Sequence, residues 1–145
     1  MKKLLVSLAV LLSTVAVFAS EEKVSAKVLN AFKNEFSAAK EVEWYVGQNY
    51  YKATFEYNQK HLFAYYSAEG ELLGLTRYIS PDNLPMNLQS DLKKNYANYW
   101  ISDLFELARN EGTSYVITLE KADCKLILKS TNGSDWDVFE KIRKS

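Results

Sequence analysis

His61, the chain's single histidine, lies between Lys60 and Leu62 in a strand-like run. A zinc-type metal needs two or three imidazoles or thiolates at set spacing. No His-Glu-x-x-His or Cys-x-x-Cys arrangement assists His61. Cys124 is the only cysteine, so the chain makes no internal disulfide. Its neighbours Lys125-Leu126-Ile127-Leu128 read as a strand, where a small thiol packs; reactivity would need an exposed setting that stabilises the thiolate. Asn132-Gly133-Ser134-Asp135-Trp136-Asp137 carries alternating acids but lacks the glycine position and terminal glutamate of a calcium loop, and reads as a hairpin. Glu69 and Glu71 flank Gly70 in another hairpin, and a solvated turn has no buried setting to raise a carboxyl pKa for acid catalysis. A Gly-rich phosphate loop and a Gly-x-Ser-x-Gly elbow are both missing from the sequence. These features point away from an enzyme, and no cofactor or metal is expected.

What remains is aromatic. Tyr51, Ala53, Phe55 and Tyr57 alternate along one strand, as do their counterparts Tyr115, Ile117 and Leu119, and this face is expected to meet helices. Leu62 and Ala64 match Leu126 and Leu128, and Leu73 and Leu75 match Trp136 and Val138, on the same side. The opposite face then carries Lys52, Thr54, Glu56, His61, Phe63, Tyr65, Thr76, Tyr78, Val116, Thr118, Glu120, Lys125, Ile127, Lys129 and Phe139. A solvated antiparallel face is usually cleaner than this. Phe63, Tyr65, Tyr78 and Phe139, with His61 beside them, are the expected protein-binding residues. The competing reading is plain sheet stabilisation, since strands favour aromatic residues and cross-strand ring pairs are worth up to about 1 kcal/mol.

The elements that position these residues repeat. Val24, Val28, Phe32 and Phe36 recur every fourth residue, a helical stripe, and Leu84, Leu88, Leu92 and Tyr96 follow sixty residues later. Tyr51-Lys52-Ala53-Thr54-Phe55-Glu56 aligns with Tyr115-Val116-Ile117-Thr118-Leu119-Glu120 at an offset of 64, and the offset becomes 63 after Gly70 and Gly133. Offsets that drift at turns are what a duplicated unit shows. Each copy reads as one helix and four strands. The first has a helix near 24–39 and strands near 42–46, 50–57, 60–67 and 72–79. The second has a helix near 84–99 and strands near 102–107, 114–121, 124–130 and 135–142.

Asn58-Gln59, Glu69-Gly70, Ala122-Asp123 and Asn132-Gly133 read as hairpin turns. Asp82 or Asn83 can cap the second helix, with Pro85 in its first turn. A unit of about 60 residues buries little core alone. Both repeats, about 22–80 and 84–145, are therefore expected to share one sheet as a single domain over 20–145, with both helices on one face.

Met1-Lys2-Lys3 followed by the uncharged run Leu4 to Ala19 reads as a secretory signal over 1–19, cut after Val17-Phe18-Ala19, and the periplasm is the expected address. No membrane span is expected after cleavage, the apolar run being short of about 20 residues. Losing Lys2 and Lys3 takes 18 basic residues to 16 against 18 acidic. A slightly acidic chain without a basic stripe argues against nucleic acid.

With Trp44-Tyr45-Val46, Tyr51-Lys52-Ala53-Thr54-Phe55 and Glu69-Gly70-Glu71-Leu72-Leu73 in this repeated frame, the chain resembles the PepSY-like family of small exported bacterial proteins, which look like the β-lactamase inhibitory protein in fold. In the second repeat Phe105-Glu106-Leu107 stands where the Trp-Tyr-Val phrase would be. The resemblance implies an α+β tandem repeat, each repeat a helix plus a four-stranded antiparallel meander, whose sheet faces a partner protein, with hydrolase inhibition as its most concrete activity. The expected function is an exported, non-enzymatic module holding a protein or peptide on its helix-free sheet face. The alternatives are a self-associating homodimer built on that face and a small-ligand carrier.

Overall fold

The computed structural model describes residues 23–145; the expected signal segment 1–19 lies outside them. Two helices, α1 (Ala26–Glu35) and α2 (Met86–Asn95), accompany eight strands: β1 (Lys40–Val46), β2 (Tyr51–Tyr57), β3 (Lys60–Tyr66), β4 (Leu72–Tyr78), β5 (Trp100–Arg109), β6 (Gly112–Lys121), β7 (Cys124–Ser130) and β8 (Asp137–Arg143). The strands form an antiparallel sheet in sequence order, β1 to β8, as the α+β meander reading expected. The chain divides into two compact units, the first ending at Leu73 and the second beginning at Gly74.

In the first unit, Ser25 caps α1 by accepting a 3.3 Å hydrogen bond from the Val28 amide. The helix ends earlier than its apolar stripe suggests. Phe36 leaves helical geometry at φ −128°, ψ 56°, and its ring packs 4.9 Å from Phe55 and 5.4 Å from Tyr57. Phe32, on the buried stripe, stands edge-on to Trp44 at 5.2 Å and to Phe55 at 4.9 Å. Val24, Val28, Trp44, Ala53, Phe55, Leu62, Ala64 and Tyr66 are buried with it, so the strand alternation read from sequence holds in β2 and β3. Asn58 and Gln59 both take positive φ, 52° and 64°, the two-residue turn whose twist suits a hairpin. They set Tyr57 against Lys60 and Phe55 against Leu62.

In the second unit, Leu84, Leu88, Leu104, Ile117, Leu119, Leu126, Leu128 and Trp136 form the core. The cap of α2 differs from expectation. The helix starts at Met86, so Pro85 occupies the N-cap without a side-chain bond. Asp82 and Asn83 instead belong to a 3-10 turn, Pro81–Asn83, where both accept from the Ser80 hydroxyl. Ser80 thus draws both oxygens away from the helix.

Two apolar assignments fail at the fourth strands. Leu73 is 44% exposed and Val138 60% exposed. Every residue of β8 is exposed, and its register shifts opposite Ile127 and Leu128, a bulge that bends a strand out of regular alternation. Trp136 is buried as expected, but just ahead of β8, where its indole N–H donates to the Leu88 carbonyl at 3.2 Å.

Candidate functional site

Within the first unit, the face of β1 to β3 turned away from α1 is built by rows of paired residues. Tyr45 faces Lys52, which faces Tyr65; Glu43 faces Thr54, which faces Phe63; Glu56 faces His61. Each of these alternates with a residue buried under the helix, such as Trp44, Ala53 or Ala64. Phe63 and Tyr65 therefore lie on the helix-free side expected for them, half-buried rather than fully open.

Lys52 covers them. Its Nζ stands 5.3 Å from the centroid of the Phe63 ring and 6.0 Å from that of Tyr65, where the negative ring faces attract the ammonium. Tyr50 completes the cluster, 6.0 Å from Tyr45 and 5.9 Å from Tyr65. The ring of Tyr50 folds back over the β1–β2 turn because Gly47 has no side chain: a Cβ there would sit 2.5 Å from the ring. Burial, followed by the neighbouring Tyr45 and Tyr65, raises the Tyr50 pKa. The phenol consequently stays neutral, able to donate or accept a hydrogen bond. His61 is exposed.

In the second unit, Tyr78 is 64% exposed, with its ring edge-on to Phe105 at 6.3 Å. Phe105 faces Val116, and Val116 faces Lys129. This row lies opposite the buried Leu104, Ile117 and Leu128. Phe139 is 68% exposed, and it is the residue left without a Cα partner where Val138 pairs Leu128 and Glu140 pairs Ile127. The period-two pattern that assigned it to the face stops there. Beyond the residues read from sequence, the cluster of the first unit gains Tyr45 and Tyr50, and the ring pair of the second gains Phe105.

Phe105 was missed through a one-residue slip in aligning the repeats. Trp44 pairs with Ala53, and Leu104 pairs with Ile117, the counterpart of Ala53. The phrase Trp44-Tyr45-Val46 therefore corresponds to Leu104-Phe105-Glu106, and Phe105 is the equivalent of Tyr45. A shared bulge between Lys40 and Glu43 in β1 and between Ile101 and Asp103 in β5 marks the true register, but a bulge leaves little trace in composition. Tyr50 was hidden because it precedes β2 and owes its position to Gly47.

Among the described residues there is no group of three or more His, Cys, Asp or Glu side chains placed to hold a metal. Cys124 is buried, its Sγ 3.8 Å from the Tyr99 hydroxyl.

No family model and no curated protein matches the chain. Solved structures do. A BLIP-like protein from Bacteroides fragilis NCTC 9343 superposes with a TM-score of 0.69 at 20% identity, over 82% of this chain and 85% of that one. A DUF2874 family protein from Bacteroides ovatus ATCC 8483 gives 0.71 at 20% identity, over 81% and 86%. A periplasmic candidate protein from Bacteroides eggerthii DSM 20697 gives 0.70 at 16% identity, over 83% and 88%. Among the described residues no helix is long and apolar enough to cross a membrane. At these identities the likeness shows the fold, which is that of the BLIP-like proteins.

Proposed function

We propose that the protein is an exported, non-enzymatic binding module that holds a protein or peptide partner, in the manner of an inhibitor, on the sheet face turned away from its helices. The observation that carries this reading is the ring cluster of Phe63, Tyr65, Tyr50 and Tyr45 under the ammonium of Lys52. Rings offer large, rigid contact area at modest entropic cost, and Lys52 adds a charge whose hydration is already partly replaced by π faces. Tyr78 and Phe105 present a second ring pair in the other unit. A PepSY-like identity and a periplasmic address fit this reading, as do similar folds among BLIP-like proteins.

The test is a pull-down from periplasmic extract with the wild type, the Phe63→Ala/Tyr65→Ala variant and Tyr78→Ala. A partner retained by the wild type and lost by the double variant is expected. Identical partner sets for all three would overturn the reading. Sedimentation velocity at micromolar concentration distinguishes a homodimer built on the same face.

A further inference from the structure

The two repeats fill equivalent space differently. In the first, Phe32, Phe36, Phe55 and Tyr57 pack ring against ring between α1 and the sheet, with centroids 4.9 to 6.4 Å apart. Their counterparts in the second are Leu92, Tyr96, Leu119 and Lys121. Four rings thus become one Tyr, two Leu and one Lys. The backbone frame is kept, and interiors do not close over such losses completely. A cleft of about 360 Å³ opens there in the second unit, between the C-terminal half of α2 and the sheet, lined chiefly by Leu92, Lys93, Tyr96, Tyr99, Ile101 and Leu119.

That volume is at the small end of ligand pockets, and the pattern of an apolar wall with a few polar groups is theirs. Its polar residues are Gln89, Lys93, Tyr96 and Tyr99, and the one charge among them is positive. No Asp or Glu lines the cleft, and Lys93 joins neither ion pair found among the described residues, Arg77 with Glu106 and Lys144 with Glu120. Outside the lining, the Lys121 ammonium stands 4.9 Å from the centroid of the Tyr99 ring. The Tyr96 pKa is raised, first by burial and then by Asp91 and Tyr99, so its hydroxyl remains a donor at neutral pH.

We propose that this cleft binds a small amphiphilic carboxylate, its hydrocarbon body against Leu92, Leu119 and the Tyr96 and Tyr99 rings and its charge toward the Lys93 ammonium. At about 30 Å³ per molecule of a water-like liquid, the space suits roughly a dozen non-hydrogen atoms. The site lies on the helix side of the second unit, opposite Phe105, and does not depend on the ring-bearing face holding a partner.

Decanoate is the probe and decan-1-ol its uncharged control, titrated into the whole protein by calorimetry and by amide chemical shifts. The wild type is expected to bind decanoate with shifts at Leu92, Tyr96 and Leu119. Leu92→Phe, which restores a ring of the first repeat, should weaken binding at least about tenfold. Lys93→Gln should weaken decanoate about tenfold, the scale of one charged hydrogen bond, and leave decan-1-ol unchanged. No binding of decanoate by the wild type at about 1 mM, shifts confined to Phe105 and Val116, or equal affinity of Leu92→Phe and wild type would each overturn the proposal. Should Leu92→Phe fail to fold, Lys93→Gln at the exposed helix surface decides alone, and unchanged affinity for decanoate would overturn it.

Discussion

The hydroxyl of Tyr66 donates a 2.6 Å hydrogen bond to Oε1 of Glu35, joining the last residue of β3 to the last residue of α1. Tyr66 is fully buried, while Glu35 is exposed. The bond thus anchors a helix end whose carbonyls lack intrahelical donors, and it reaches from the core to the surface. The second repeat has no such tie. Ser130, the counterpart of Tyr66, is equally buried but turns its hydroxyl to the local loop, accepting from the Gly133 amide at 3.1 Å.

Tyr66→Phe should cost about 1 kcal/mol, because Glu35 at the surface regains water when its donor is removed. The pH dependence is sharper. Burial first, then the hydrogen bond and charge of Glu35, raise the Tyr66 pKa above its ordinary value near 10. The native state then holds a proton that the unfolded chain releases. Stability is full below about pH 10 and falls above it, by about 1.4 kcal/mol per pH unit for this one proton. Urea midpoints measured from neutral to alkaline pH should fall less steeply in Tyr66→Phe than in the wild type. Equal slopes would show that Tyr66 ionises without unfolding.

The two buried tryptophans should answer substitution differently. Trp136 donates from its indole to the Leu88 carbonyl, a carbonyl inside α2 that the helix ladder keeps paired, so Trp136→Phe loses one hydrogen bond and should cost about 0.5 to 1.5 kcal/mol beyond the lost ring area. Trp44 Nε1 is buried and has no hydrogen-bond partner among the described residues. Trp44→Phe removes a desolvated donor and should be the milder change, read from chemical denaturation followed by circular dichroism. A larger loss for Trp44→Phe than for Trp136→Phe would contradict this.

Gly70 is held at φ 86°, and a Cβ added there would lie 2.9 Å from the backbone carbonyl oxygen of Lys27 in α1. Backbone cannot swing aside as a side chain can. Gly70→Ala should therefore destabilise by about 1 to 3 kcal/mol, combining the left-handed strain with the contact. Gly133→Ala shares the positive φ, 73°, but meets only Pro85 Cγ at 3.6 Å, and should cost less. Thermal unfolding of the two variants compares them directly.

Much of the frame was legible because it rests on period and on turn chemistry. The stripe Val28, Phe32 and Leu88 gave the helices, and the alternation through Ala53 and Phe55 gave the buried face. Hairpins at Asn58-Gln59 and Gly133 followed from Asn58 and Gly133, types that tolerate positive φ. What escaped depends on contacts between distant residues. Tyr50 takes its place from Gly47, Phe105 from a bulge three residues earlier, and the cap of α2 from Ser80. The cleft of the second unit was written in the sequence as Leu92, Leu119 and Lys121 in place of Phe32, Phe55 and Tyr57. It becomes visible only once those positions are known to share one space.

The rings under Lys52 can be assigned to binding or to sheet stability by one pair of measurements. Phe63 and Tyr65 are half-buried, so each Ala substitution removes about half of a ring's transfer free energy, about 1 kcal/mol. The cation–π contact of Lys52 adds about 0.5 to 1 kcal/mol. Phe63→Ala/Tyr65→Ala should accordingly lose about 2 to 3 kcal/mol and keep the wild-type far-ultraviolet circular dichroism, while the partner captured by the wild type is no longer retained. Lys52→Gln should cost at most about 1 kcal/mol and weaken capture most at low salt, where a partly solvated surface charge acts over the longest range. If the double variant unfolds, or folds and still holds the partner, the cluster serves the sheet itself and recognition must lie elsewhere.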